Sequence, residues 1–212
     1  MLYNRRGHMA DKTGNVPKKN TLLKVVFIIY MVATAAFLVL LFGSVSETGG
    51  PFALDLRRAD FFANCLRIIA DLMIIAGFWK KRYNGLLIGG FLLNLVPQAF
   101  DLLVQYNGLK ESLIYGLAFV ATIFLIVFYI MLTGVTVSGT SKNDAYMFTK
   151  ISVLICVLFW LISDIVNLSV QGMEGIFTVI FLGVDFLQMA TLAVWGVMFT
   201  NYLKPEASAE QE

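Results

Sequence analysis

Residues 60–101 read DFFANCLRIIADLMIIAGFWKKRYNGLLIGGFLLNLVPQAFD, two apolar segments joined by Lys80-Lys81-Arg82. Each segment carries a line of polar residues. Asp60, Asn64, Arg67 and Asp71 are spaced four, three and four apart; Asn94, Gln98 and Asp101 follow at four and three. These are helical spacings, so each set predicts one stripe along one helix face. Lipid cannot solvate such a stripe, and a membrane helix that keeps one turns it toward protein or water.

The rest of the chain agrees with a membrane reading. Hydrophobic residues make up 58% and charged residues only 14%, against roughly a quarter charged in a soluble domain. The fold class expected is all-α: a polytopic membrane protein whose partner along nearly its whole length is the lipid bilayer. A net charge of +2 with no basic run interleaved with aromatics gives no support for nucleic-acid binding. Cys65 and Cys156 both lie in apolar segments and read as buried free thiols. The single histidine, His8, precedes every span, and no lysine sits mid-span. His-ligated metal, haem and a retinal Schiff base are therefore not expected within this chain. No nucleotide loop or cofactor fingerprint is present, so no cofactor is expected and a gradient or a partner would supply energy.

A span needs about 20 apolar residues, which gives a bundle of six transmembrane helices at about 22–43, 60–79, 85–106, 112–134, 149–169 and 175–201. Residues 1–21 read as a basic cytoplasmic tail, 22–203 as the membrane domain, and 204–212 (PEASAEQE from Pro205) as a disordered acidic tail. Met9 is as good a start as Met1. The first apolar segment exceeds the roughly 7–15 residues of a signal-peptide core and reads as an uncleaved span. Thr48-Gly49-Gly50-Pro51 marks a turn, and residues 134–150 read as a second long connection.

Orientation follows from the basic residues. With the N-terminus in the cytoplasm, twelve Lys and Arg fall inside, three (Arg57, Arg58, Lys110) outside, and Arg67 in the membrane. Both termini are thus expected in the cytoplasm, in a plasma membrane. Trp79, Tyr83, Tyr106, Tyr146 and Tyr202 fall near span ends, where aromatic belts belong.

The spans differ in polarity. The first and fourth are nearly pure hydrocarbon, interrupted by Tyr30, Thr34, Thr122 and Tyr129. The fifth carries Trp160, Asp164 and Asn167 on one face, and the sixth carries Asp185 and Gln188 with Thr178 two turns earlier. The order apolar, polar, polar therefore occurs twice. LRIIADLMII (66–75) aligns with FWLISDIVNL (159–168), matching Asp71 to Asp164; FLLNLVPQ (91–98) aligns with FLGVDFLQ (181–188). An odd number of spans per copy predicts two inverted three-helix repeats, a plan that places sites at the repeat interface near the midplane.

Arg67 and Asp71, at i and i+4, are expected to pair on their own helix, leaving Asp101, Asp164 and Asp185 without a basic partner. Unpaired carboxylates in a membrane interior must be protonated, hydrated or holding a cation. With Asn94, Gln98, Asn167 and Gln188 they form the candidate substrate or ion site. These groups fall between midplane and outer surface, which predicts an outward vestibule sealed by apolar helices on the cytoplasmic side. Pro97 removes a backbone donor and frees the carbonyl of Leu93, predicting a kink. Gly85 and Gly89 form a GxxxG spacing that predicts close helix packing.

Pro97-Gln98 resembles the proline–glutamine signature of PQ-loop and SWEET-like transporters over those two residues. The parallel repeats and linking seventh span of those families do not fit six spans with both ends inside. Length and span number are compatible with the substrate-binding subunits of energy-coupling-factor transporters, but the small-residue docking motif is not evident in the first span.

The expected function is transport of, or coupling to, a proton, cation or small polar solute, with Asp71, Asp164 and Asp185 as the binding acids. The alternative is a non-catalytic subunit or assembly factor whose acids meet a partner membrane subunit or a second copy. Intramembrane hydrolysis ranks below both, because the GxGD and GxSxG signatures are absent.

Overall fold

The computed structural model describes residues 18–47, 56–79, 84–109, 112–138, 142–171 and 176–203. They form α1 (Lys18–Glu47), α2 (Leu56–Trp79), α3 (Asn84–Gly108), α4 (Leu113–Ser138), α5 (Asn143–Gln171) and α6 (Ile176–Leu203). Over their described residues α1, α3, α4, α5 and α6 are long and apolar enough to cross a membrane. The chain is a helical membrane bundle. Residues 1–17 of the basic tail, the acidic tail 204–212, the 48–51 turn and the Lys80-Lys81-Arg82 junction lie outside the described residues, as do the side chains of Asp60, Asn64 and Thr178, while 18–21 already belong to α1.

Each helix packs against the next in sequence, and α6 closes back onto α1. Short connections make sequential helices antiparallel neighbours, and specific contacts mark the two ends of the resulting ring. At the terminal end, where α1, α3 and α5 begin, the Lys24 Nζ sits 4.6 Å from the Trp79 ring centre at the close of α2. The Tyr146 hydroxyl, early in α5, donates to the Leu203 carbonyl at the close of α6 (3.4 Å). At the far end, Ser163 of α5 donates to the Ile114 carbonyl in the first turn of α4 (3.2 Å).

The helices outrun the apolar segments. α1 has 30 residues, about 45 Å at 1.5 Å per residue, against a hydrocarbon core of about 30 Å. The expected connection over 134–150 shrinks accordingly, because α4 continues to Ser138 and α5 starts at Asn143. Within this stretch Thr136 donates to the Leu132 carbonyl (2.7 Å) and Thr149 to the Ala145 carbonyl (2.7 Å). Asp144 sits in the first turn of α5, where it complements the helix dipole. Hydropathy reports where lipid stops; the backbone hydrogen bonds need not stop there.

Close approach of α2 and α3 depends on glycines other than the predicted pair. A Cβ on Gly90 would stand 2.6 Å from Ile74 Cγ1 and 2.8 Å from the Ala70 carbonyl oxygen, and one on Gly77 would stand 2.9 Å from the Leu87 backbone nitrogen. Gly85 faces open space, and Gly89 meets only the flexible end of Met73. The GxxxG spacing of 85 and 89 is thus not the packing seam. The reason is rotation: the α3 face that carries Asn94 and Gln98 inward also carries Gly90 against α2.

The outer surface is apolar, with Val39, Leu103, Leu113 and Val170 exposed, as a lipid-facing wall requires. The terminal half of the interior is aromatic. Phe27 packs on Trp195 at 4.8 Å, Trp195 stacks on Phe199 at 5.3 Å, and Phe199 meets Phe78 and Phe91 edge-on at 5.8 and 5.9 Å. Val153 and Phe128 press on Gly196, bringing α5 and α4 onto α6 and closing this layer.

Candidate functional site

Polar side chains occupy the middle and far parts of the interior, in three groups stacked above the aromatic layer.

The lowest group is bonded across helices. Asp71 and Asn94 are both 0% exposed, and Asn94 Nδ2 donates to Asp71 Oδ1 at 3.2 Å, joining α2 to α3. Gln188 of α6 donates from Nε2 to Thr34 Oγ1 of α1 at 3.1 Å, while Thr34 donates onward to the Tyr30 carbonyl. The Tyr30 and Tyr129 hydroxyls meet between α1 and α4 with Asp71 close by. The two spans read as nearly pure hydrocarbon therefore supply inward-facing hydroxyls. Their sequence signal was present: Tyr30 and Thr34 are four apart, and Thr122 and Tyr129 seven.

Above this layer lies a cavity of about 150 Å³. Its polar wall is Arg67 of α2 with Gln98, Asp101 and Gln105 of α3. The rest of the lining comes from α4, including Ala121, Thr122 and Leu125, with Phe37 of α1 and Cys156 and Trp160 of α5. Among the described residues α6 does not line it. Asp185 and Gln188, expected to share one site with the α2 and α3 stripes, are therefore not in its wall. Gln105 was overlooked although it extends the 98–101 stripe by four residues.

Charge pairing also differs from expectation. Arg67 Nη2 donates to Asp101 Oδ2 at 3.0 Å, bridging α2 and α3. Asp101 is thus paired, and Asp71 receives its hydrogen bond from Asn94 on the neighbouring helix. The i,i+4 reading considered α2 alone: Arg67 still acts on the Asp71 charge, and packing against α3 adds a carboxylate for Arg67 and an amide for Asp71. A buried ion pair offsets part of the several kcal/mol that each ion loses on leaving water. Gln98 is 1% exposed, and its Nε2 has no hydrogen-bond partner among the described residues, nor does Gln105 Oε1.

The third group lies between α5 and α6. Asp164 and Asp185 stand within hydrogen-bonding reach of each other, and Asp185 also reaches Trp160. Asp164 Oδ2 and Asp185 Oδ1 are buried and meet no donor among the described residues. Two such carboxyls side by side need a proton between them or a cation on them, since like charges in contact cannot both persist. Asn167, one turn beyond, is half-buried and is not part of the cavity wall.

Among the described residues no cluster of three or more metal-ligating side chains occurs, and the two cysteines are free, Cys156 buried and Cys65 half-buried. The nine predicted site residues thus divide: Arg67, Gln98 and Asp101 face the cavity; Asp71, Asn94 and Gln188 lie in the bonded layer beneath; Asp164 and Asp185 form an acid pair at its flank; Asn167 stands apart. Chemically the arrangement can accept a small polar molecule, hold it against an ion pair and amides, and exchange a proton at nearby acids. Comparison with protein-family models, curated proteins and solved structures finds no match to this chain.

Proposed function

We propose that this chain is a six-span transport protein that admits a small polar solute from the non-cytoplasmic side and couples its passage to a proton or cation. The observation that carries this reading is the layering of the interior. A polar cavity toward the far end is followed by buried hydrogen bonds through Asp71 and then by the aromatic layer of Trp195 and Phe199. Such an order fits one side of an alternating-access cycle: a site open to one face and a packed barrier to the other. The excess of basic residues at the terminal end orients the cavity outward.

α2 is counted as the sixth span in this reading, because its intramembrane charges are satisfied within the bundle. The two halves are read as inverted repeats. Asp71 bonds to α3, and its counterpart Asp164 neighbours the corresponding helix α6. Asp164 and Asp185 serve as the proton or cation site; Asp71 lies on the route between cavity and barrier. A hydrolase would need its acid pair open to water and substrate, yet Asp185 is 5% exposed and neither acid lines the cavity.

Uptake into proteoliposomes over a panel of small solutes, with and without an imposed proton gradient, tests the proposal. Asp71→Asn, Asp164→Asn and Asp185→Asn should each abolish gradient-driven uptake while leaving membrane insertion intact. Full uptake by all three variants would sink the coupling role. No uptake by the wild type, together with a stoichiometric partner in mild detergent, would favour a subunit of a larger complex.

A further inference from the structure

We propose that the cavity binds a small zwitterion of the α-amino acid type, carboxylate inward and ammonium toward the mouth. This rests on the reading of the cavity as a solute site and narrows its class from any proton, cation or polar solute to one charge pattern.

Polarity along the cavity wall is the basis. Gln98, Asp101 and Gln105 share one face of α3, and at 1.5 Å per residue they span about 10 Å along the axis. Asp71 pairs with Asn94, so Arg67, one turn further along α2, stands level with Gln98, one turn further along α3. The deep part of the wall carries the Arg67 guanidinium and the Gln98 amide, whose buried Nε2 meets no partner among the described residues. The part nearer the mouth carries the Asp101 carboxylate and the Gln105 amide, whose buried Oε1 meets no partner among the described residues.

Charge balance selects the ligand. Arg67 and Asp101, the two charged residues among the described lining, pair at 3.0 Å, so their charges balance on the wall. A free cation or anion entering it would leave one unpaired charge in a low-dielectric site, which is costly. A zwitterion would not. Its carboxylate can take Arg67 and Gln98 while its ammonium takes Asp101 and Gln105, replacing one internal ion pair by two external ones. Charge-assisted hydrogen bonds on both ligand ends are the strong kind. The volume of about 150 Å³ is well below the roughly 300–1,000 Å³ of drug-sized sites, which restricts the ligand to a short side chain. Leu125 and Trp160 supply an apolar wall for it.

The test uses purified full-length protein in lipid nanodiscs and calorimetric titration with three matched probes: L-alanine, N-acetyl-L-alanine and L-alaninamide. L-Alanine should bind, and removing either charge should weaken binding about ten- to hundredfold. Asp101→Asn should lose L-alanine affinity and narrow its preference over N-acetyl-L-alanine. Gln98→Leu and Gln105→Leu, which leave the ion pair in place, should each weaken L-alanine binding while unfolding like the wild type. Equal binding of all three probes, binding of the amide or acetylated probe alone, or no L-alanine binding at millimolar concentration would overturn the proposal. The same probes in proteoliposome uptake separate the two ideas. L-Alanine binding without uptake would retain the ligand class and remove transport; uptake of a different solute would do the reverse.

Discussion

At the scale of single residues, the Asp71–Asn94 bond determines how a carboxyl is accommodated at full burial. Asn94→Leu removes its cross-helix donor, and a buried acceptor left unsatisfied costs about 1–3 kcal/mol, more when charged. Replacing both partners by apolar groups removes the unmet demand as well as the bond. Asp71→Leu/Asn94→Leu should therefore recover much of the stability that Asn94→Leu loses. Thermal unfolding in detergent of the wild type, both single variants and the double variant reads the coupling directly. Additive losses would show that the bond carries no such coupling. The Asp164–Asp185 pair is met less fully: Asp185 reaches Trp160 and Asp164, while Asp164 Oδ2 and Asp185 Oδ1 meet no donor among the described residues.

At the scale of elements, the contact of α2 with α3 sets the register on which both polar pairs depend. Gly90 lies against the Ala70 carbonyl, and backbone cannot yield as a side-chain tip can. Gly90→Ala should destabilise by about 1–3 kcal/mol through overpacking, and it should also disturb the Arg67–Asp101 bridge. Gly85→Ala, in open space, should be neutral or stabilise by up to about 1 kcal/mol through helix propensity. Unfolding midpoints of the two variants check the contrast; equal shifts would show that α2 and α3 do not approach as described. Pro97 belongs to the same element: α3 runs unbroken from Asn84 to Gly108 through it, with Gln98 beside it turned into the cavity.

At the scale of the whole molecule, polarity is distributed unevenly along the bundle. In a background of Cys65→Ser and Cys156→Ala, a membrane-impermeant maleimide applied outside intact cells should label Gln105→Cys and leave Phe199→Cys unlabelled. Labelling of Phe199→Cys from outside, or none at Gln105→Cys, would contradict the outward cavity above an aromatic barrier. Burial explains the asymmetry: aromatic rings fill the terminal half at 4.8–5.9 Å spacing, leaving space for water or solute only beyond them.

Composition and helical spacing alone determined the membrane character, the number of helices, and which faces of α2, α3 and α6 turn inward, whereas the α5 face of Trp160, Asp164 and Asn167 is only half-buried. They succeed because lipid exclusion acts on each helix separately, so the stripe of Asn94, Gln98 and Asp101 is visible before any neighbour is known. Helix ends were misjudged because hydropathy follows lipid contact, whereas Thr133 and Thr136 stay within α4 by donating to the Tyr129 and Leu132 carbonyls. Partner choice was not legible. Arg67 has an acid four residues away on its own helix, yet its guanidinium bonds to Asp101, thirty-four residues further on. Only the packing of α2 on α3 through Gly90 and Gly77 decided that, because an ion pair in low dielectric depends on distances of a few ångströms. The inward hydroxyls of α1 and α4 were decided in the same way, by closure of the ring that brings Tyr30 to Tyr129.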